Sequence, residues 1–195
     1  MKEVSQKNLG PLIAYVVPGI VLLWGVSDHS STVKMWLTAT DGASPSVAGF
    51  LYVTLASLAG GLTLNAVRSV TLDVFHHRTG IRPPELDFSN FQAKFWAFNQ
   101  LVESHWRYYQ FYSHMFLAVA FSITIQLLTA PWDGPRWFGV LFASLELMLL
   151  LSARETLARY YSSASLLLGT LDERPDCRRK ENRKLGAKVL APETS

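Results

Sequence analysis

The sequence predicts an all-α membrane protein with four transmembrane helices. Only 17% of its 195 residues are charged, against about 25% in a typical soluble domain. The apolar residues are gathered into long blocks, and a block of about 18 such residues is long enough to cross the hydrocarbon core of a bilayer. Three blocks carry no charge and the fourth carries only one glutamate: Leu9–Val26, Ala43–Val67, Tyr108–Trp132 and Trp137–Ala153.

The composition also excludes several classes of protein. Cys177 is the only cysteine, which argues against a disulfide scaffold and against a cysteine-rich zinc module. Aromatic residues make up 12% of the chain, too many for a disordered protein. No glycine-rich phosphate loop is present, and we expect no cofactor.

The distribution of positive charge predicts the orientation. All 18 Lys and Arg residues except Lys34 and Arg136 fall at the termini or between the second and third blocks. The positive-inside rule then places both termini and the central segment in the cytoplasm, in what we expect to be a bacterial inner membrane. An alternative is that the first block is a cleaved signal peptide, which would leave three spans in the same orientation.

The first two spans are predicted at about Leu9–Val26 and Val47–Val67. Pro18 lies in the middle of the first span and predicts a kink there. We expect the segment between the two spans to be an outer loop. The second span carries small residues at intervals of four, which predicts close packing against another helix. These pairs are Ala56 with Gly60 and Ser57 with Gly61.

The second helix is expected to continue beyond the bilayer to His77 and to end near Thr79 and Gly80. Asp87 or Ser89 is then positioned to cap a new helix. That aromatic-rich helix, about 88–103, is predicted either to lie at the membrane surface or to pack on the bundle. No breaker separates it from the third span.

The third and fourth spans are predicted at about Tyr109–Leu128 and Trp137–Ala153. The fourth helix is expected to run on to Leu168 and to project from the bilayer, since about 30 residues make roughly 45 Å. The layout is therefore a cytoplasmic terminus at 1–8, one transmembrane domain at 9–168 with a helical cytoplasmic segment near 68–107, and a disordered basic tail at 169–195. The tail is expected to provide topological charge or to attract anionic lipid.

Glu146 is the first candidate for function. A carboxylate in the middle of a bilayer costs about 2.5–3.5 kcal/mol, so it must face the bundle interior, a partner or water. Ser122, Thr124 and Gln126 on the third span are its predicted hydrogen-bond partners. Two interpretations remain open: an ion or pore site, and a protonated glutamic acid bonded to a neighbouring helix.

The second candidate is a cluster of polar residues at the cytoplasmic ends of the helices. On the third helix the spacing of 4, 4, 3 and 4 residues predicts a single polar face. Its members are Asn99, Glu103, Arg107, Gln110 and His114. The second helix offers a matching set, Asn65, Arg68, Asp73, His76 and His77. The two interpretations are a helix-packing seam and a cytoplasmic vestibule or catalytic pocket.

Ion pairing is the expected role of Asp73, with Arg78, Arg107 or Arg154 as its partner. A metal site with His76 and His77 is not expected, since adjacent residues on a helix point about 100° apart. Two further pairs are predicted at the i,i+4 spacing, Glu103 with Arg107 and Glu155 with Arg159.

Arg107 and His114, with six residues between them, resemble the Arg-x4-6-His motif of the HEPN ribonuclease superfamily. The resemblance covers two residues at a membrane boundary, and we expect no nucleic-acid partner.

Three functions are left open by the sequence. The first is a membrane protein that self-associates as an oligomeric channel, a membrane effector or a subunit of a larger complex. Another is a purely structural or partner-binding role, in which the basic tail docks a cytoplasmic protein. The alternative is a membrane-embedded enzyme that acts on a lipid or lipid-linked substrate at the cytoplasmic interface.

Overall fold

A computed structural model describes residues 2–38, 47–129 and 136–169 of the chain, and every regular element in these ranges is helical. A π-helical segment, Val102–Trp106, joins the fifth helix to the sixth without a break. The helices are α1 (Lys2–Ser27), α2 (Ser31–Leu37), α3 (Val47–Val70), α4 (Leu72–Arg78), α5 (Phe91–Leu101), α6 (Arg107–Thr129) and α7 (Arg136–Leu168).

Within the described ranges, three helical stretches are long and apolar enough to cross a membrane: Val47–Arg78, Phe91–Thr129 and Trp137–Leu168. A shorter apolar stretch, Ile13–Ser27, belongs to α1. The prediction of an all-helical chain with membrane-length helices is therefore confirmed. The fourth span and the orientation of the chain stay predictions.

Helix α1 packs between α3 and α6, and small residues make the approach possible. A Cβ atom added at Gly19 would overlap the main chain of Ser57, and one added at Gly61 would overlap the main chain of Tyr15. A Cβ atom added at Gly25 would overlap the side chain of Ser122 on α6. The predicted small-residue face of α3 is thus a packing face, and α1 occupies it.

The predicted second helix is divided at Thr71, where α3 ends and α4 begins. The Thr71 amide is shared between two carbonyls, that of Val67 at 3.0 Å and that of Arg68 at 3.3 Å. Its hydroxyl also donates to the Val67 carbonyl, which competes with the regular helical bonds. Helix α4 then ends at Arg78, close to the predicted position, and Gly80 adopts a left-handed φ of 98°.

The next helical stretch begins with the predicted cap, because the Asp87 carboxylate accepts a hydrogen bond from the Ser89 amide at 2.9 Å. Helix α5 packs against α7, where Lys94 Nζ donates to the Leu167 carbonyl at 2.6 Å. Helix α5 thus packs on the bundle, and its predicted position at the membrane surface stays a prediction.

Helix α2 was not predicted, since its segment was expected to be a loop. The Ser30 side chain caps it by accepting a bond from the Val33 amide at 3.4 Å. The Trp36 ring stacks on Tyr52 of α3 with 5.6 Å between ring centroids. The short helix is therefore held at the same end of the bundle as the start of α3.

Helix α7 has 33 residues and extends about 50 Å, as the sequence predicts. Its second half packs on the bundle through Ala153 and Leu157, which form a fully buried core with Tyr109 of α6. Its first half packs on α6 and is otherwise open. The predicted tail, from 170 onward, lies outside the described residues.

Candidate functional site

A buried polar cluster lies where the end of α3, the start of α4 and the start of α6 meet. It is formed by Arg68, Asp73, His76, Trp106 and Tyr109. Arg68 is only 5% exposed, and its Nη2 atom lies 3.9 Å from Asp73 Oδ2. The guanidinium carbon also lies 5.4 Å from the Trp106 ring centroid and 5.2 Å from that of Tyr109. One carboxylate and two aromatic faces therefore stabilise this buried cation.

A chain of hydrogen bonds runs through the same cluster. The Tyr109 hydroxyl donates to Asp73 Oδ1 and lies 3.5 Å from His76 Nδ1. Because the hydroxyl has one proton and gives it to the carboxylate, its contact with His76 is made by the oxygen as acceptor. Tyr109 and His76 are both fully buried. The chain therefore links α4 to α6 through Asp73, which is half-buried.

His114 continues the polar region along α6 toward α1. Its Nδ1 donates to the carbonyl of Ala14 at 3.1 Å, and its ring lies 5.3 Å from that of Tyr15. The Gln110 amide donates to the Tyr15 hydroxyl at 3.3 Å. His114 and Gln110 of the predicted polar face therefore join α6 to α1 by hydrogen bonds.

Several polar atoms in this region have no hydrogen-bond partner among the described residues, although they are buried. They include Nε and Nη1 of Arg68, Nε2 of His76, Nε2 of His114 and Oδ1 of Asn65. Buried groups of this kind are costly unless they are satisfied by water or a ligand. This density of unsatisfied polar atoms makes the cluster a candidate site.

The other members of the predicted set lie nearer the surface. Arg107 Nη2 and Asn99 Nδ2 each donate to Glu103 Oε1 at 3.5 Å, which confirms the predicted ion pair of Glu103 and Arg107. His77 is half-buried and belongs to none of these bonds. The structure brings together Arg68, Asp73 and His76, but it does not join them to the Glu103 pair.

The predicted partners of Asp73 were wrong. Its partner is Arg68, five residues earlier, because the break at Thr71 changes the register between α3 and α4. Arg154 instead donates to the Thr79 carbonyl at 3.2 Å. Within the described ranges no group of three or more His, Cys, Asp or Glu side chains is arranged to hold a metal ion.

A second candidate site is the groove between α6 and α7 that contains Glu146, here called the Glu146 groove. Its volume is about 650 Å³ and its lining is apolar except for Thr124 and Glu146. Both carboxyl oxygens of Glu146 are buried, and neither has a hydrogen-bond partner in the described part of the chain. The other lining residues are Phe116, Ala120, Ile123, Leu127, Gly139, Phe142 and Ala143.

The predicted partners of Glu146 have other positions. Thr124 lines the groove, but its hydroxyl donates to the Ala120 carbonyl at 2.7 Å. Ser122 faces α1 and lies 3.4 Å from the Val21 carbonyl. Gln126 is exposed and lies outside the groove lining. In the α6–α7 hairpin Glu146 lies about 15 Å from Arg136, level with residues near 120 rather than with Gln126.

Sequence reasoning did not identify Trp106 and Tyr109 as members of the buried cluster. Their contacts with Arg68 and Asp73 join residues that are 36 or more positions apart in the sequence. They also depend on the π-helical segment, which ends at Trp106. A segment of this kind adds a residue to one helical turn and rotates the rest of the helix. The spacing of Trp106, Tyr109 and Ser113 by three and four residues was the available signal for a second face of α6.

Comparison of the chain with protein-family models, with curated proteins and with solved structures finds no match.

Proposed function

We propose that this chain is an integral membrane protein that self-associates, and that it acts as an oligomeric channel, a membrane effector or a membrane subunit of a larger complex. The observation that carries the proposal is Glu146, whose buried carboxyl group has no partner among the described residues and lies in an apolar groove. In a bilayer such a group costs about 2.5–3.5 kcal/mol unless another polar group reaches it.

A second copy of the chain supplies that group most simply. In a two-fold arrangement the same surface is present on both sides of the contact, so each Glu146 meets the groove of its partner. A protonated carboxyl both donates and accepts, and two of them satisfy each other. The groove, at about 650 Å³, has room for side chains from a second copy.

The exposure of α7 also supports self-association through the surface that contains the Glu146 groove. In the membrane-length stretch Trp137–Leu168, 6% of the most apolar window is buried, against 17% and 22% in the other two stretches. By contrast, the small residues of α3 already pack on α1. The small residues of α3 therefore do not support self-association. We assign the contact between copies to the surface formed by α6 and α7.

The test is the molar mass of the detergent-solubilised protein over a dilution series, by gel filtration with light scattering. We expect a defined oligomer for the wild type and for Glu146→Gln, since an amide also donates and accepts. Glu146→Leu should raise the dissociation constant about 5- to 30-fold, the equivalent of about 1–2 kcal/mol for an interhelical hydrogen bond in lipid.

The matched control is Met148→Leu, a change on the same helix at a residue that is 68% exposed and outside the groove lining. This variant should associate like the wild type. A wild type that is monomeric at every concentration, or a Glu146→Leu variant that associates as tightly, contradicts the proposal. A confirmed oligomer justifies conductance measurements in reconstituted bilayers.

The buried polar cluster favours a second candidate, a membrane enzyme for a lipid or lipid-linked substrate at the cytoplasmic interface. Its support is the Asp73–Tyr109–His76 chain, in which Nε2 of His76 has no partner among the described residues. Against it, none of the five residues of the buried polar cluster lines the Glu146 groove. His76→Ala and His114→Ala separate the candidates, because only an enzyme loses turnover while its oligomeric state is kept.

The location that accompanies the proposal is a bacterial inner membrane with both termini in the cytoplasm. Its support is that Lys and Arg are rare in two loops, the one between the first and second predicted spans and the one between the third and fourth, and frequent elsewhere. Cys177, the only cysteine in the sequence, provides the test. A membrane-impermeant maleimide should label it in inverted vesicles and not in intact cells, whereas labelling of intact cells would reverse the orientation.

A further inference from the structure

A second groove between α6 and α7, here called the boundary groove, lies one helical turn beyond the Glu146 groove. Its volume is about 340 Å³ and, unlike its neighbour, it is lined by polar side chains. His105, Tyr108 and Tyr112 line it on the side of the π-helical segment and α6. Ser152, Glu155 and Arg159 line it on the side of α7.

The boundary groove straddles the level at which both helices change from apolar to charged. The charge-free block of α6 begins at Tyr108, immediately after Arg107. The charge-poor block of α7 ends at Ala153, immediately before Arg154. Tyrosine is enriched at the membrane–water interface, and Tyr108 is 56% exposed here. The groove is thus at the depth of lipid headgroups if the two helices span a bilayer.

The charges in the boundary groove are of both signs and cancel. Glu155 and Arg159 form an ion pair with side chains 63% and 66% exposed. Exposed pairs of this type are weak, so a ligand that carries both charges can replace the pair. The rings of Tyr108 and Tyr112 stack with 6.4 Å between centroids, and both residues line the groove, where an aromatic ring attracts a cation.

We propose that the boundary groove binds the zwitterionic headgroup of a phospholipid. The phosphate is held by the Arg159 guanidinium, with the Ser152 hydroxyl as a further donor. The ammonium group is held by the Glu155 carboxylate and the faces of the two tyrosines. The acyl chains leave along the apolar outer surfaces of α6 and α7. A purely anionic headgroup fits less well, because Glu155 repels it.

The inference needs α6 and α7 to be in a membrane, but it does not depend on self-association. A lipid bound at the boundary groove and a second copy bound at the Glu146 groove use different lining residues. Failure of one proposal therefore leaves the other standing.

The experiment is native mass spectrometry of the full chain, delipidated in detergent and titrated with phosphatidylethanolamine or phosphatidylglycerol. We expect a saturable adduct with phosphatidylethanolamine at an affinity about fivefold or more above that for phosphatidylglycerol. Glu155→Gln should weaken phosphatidylethanolamine binding about fivefold and strengthen phosphatidylglycerol binding, because the carboxylate that repels the anionic headgroup is removed. Arg159→Gln should weaken binding of both lipids.

The matched control is Glu103→Gln, which removes another i,i+4 ion pair at the same level but outside the boundary groove. It should bind both lipids like the wild type. Equal affinity for the two lipids, or an unchanged titration for Glu155→Gln, would overturn the proposal. Glycerophosphoethanolamine should compete only weakly, and competition as strong as that of the whole lipid would assign the groove to a soluble headgroup compound instead.

Discussion

The two halves of the molecule differ in how their small residues are packed and in whether their buried charged groups have partners. In the α1–α3–α6 half, a Cβ atom added at Gly19, Gly25 or Gly61 would overlap a neighbouring helix, whereas on α7 Gly139 has nothing within 4 Å of such an atom. The buried cation of the first half has partners inside the chain, but the buried carboxyl of α7 has none among the described residues. The first half is therefore closely packed within a single chain, although several of its buried polar atoms have no hydrogen-bond partner among the described residues. The second half presents an open surface.

The largest effect is expected from Arg68→Met, which removes the cation of the buried polar cluster. The change leaves the half-buried Asp73 carboxylate without its cation and should lower the free energy of unfolding by about 3–4 kcal/mol. Reversible unfolding by denaturing detergent measures it. Arg159→Met removes an exposed ion pair and should cost less than about 1 kcal/mol. A loss for Arg68→Met as small as the loss for Arg159→Met would show that the Arg68 cation does not stabilise the fold.

Next in size is Gly61→Val, which forces α3 away from the main chain of Tyr15 and should cost about 3 kcal/mol. Gly139→Val is the counterpart on α7, and its side chain enters open space. Compared at a dilution where the chain is monomeric, only the first variant should lose helicity and unfold early by circular dichroism. Similar losses for both would remove the contrast between the two halves.

A smaller effect is expected from Tyr109→Phe. The variant keeps the packing of the ring against Arg68 and removes only the hydroxyl that donates to Asp73. Loss of one hydrogen bond to a charged group should lower the free energy of unfolding by about 1.5–3 kcal/mol, measured by the same denaturation. A neutral result would show that Asp73 is satisfied by Arg68 alone.

The smallest effect on a single chain is expected from Glu146→Leu. Because the carboxyl group has no partner to lose among the described residues, the free energy of unfolding of the monomer should stay within about 1 kcal/mol of the wild type or rise. Denaturation at high dilution measures it. A loss as large as that of Arg68→Met would show that Glu146 is bonded within its own chain.

Those parts of the fold that depend on local chemistry were predictable from the sequence. Gly80 and the Asp87 cap mark the break between α4 and α5 in the sequence itself, and the length of α7 follows from an uninterrupted helical pattern. The packing role of Ser57 and Gly61 also follows from their spacing, although the identity of the partner helix does not.

The parts that depend on helix register and on distant contacts were not predictable. The break at Thr71 and the π-helical segment Val102–Trp106 change which residues face each other. Asp73 therefore pairs with Arg68 and Tyr109 rather than with the arginines expected from helical spacing. A one-residue change of register on a helix rotates a side chain by about 100°, which is enough to exchange partners.

The most direct test of the central claim is disulfide cross-linking between copies across the Glu146 groove. In a Cys177→Ser background, cysteine would be introduced at Ala143, which lines the groove, or at Met148, which does not. We expect mild oxidation in native membranes to give a covalent dimer with Ala143→Cys and little with Met148→Cys. Equal cross-linking at both positions, or none at Ala143→Cys, would contradict the claim that a second copy covers this groove.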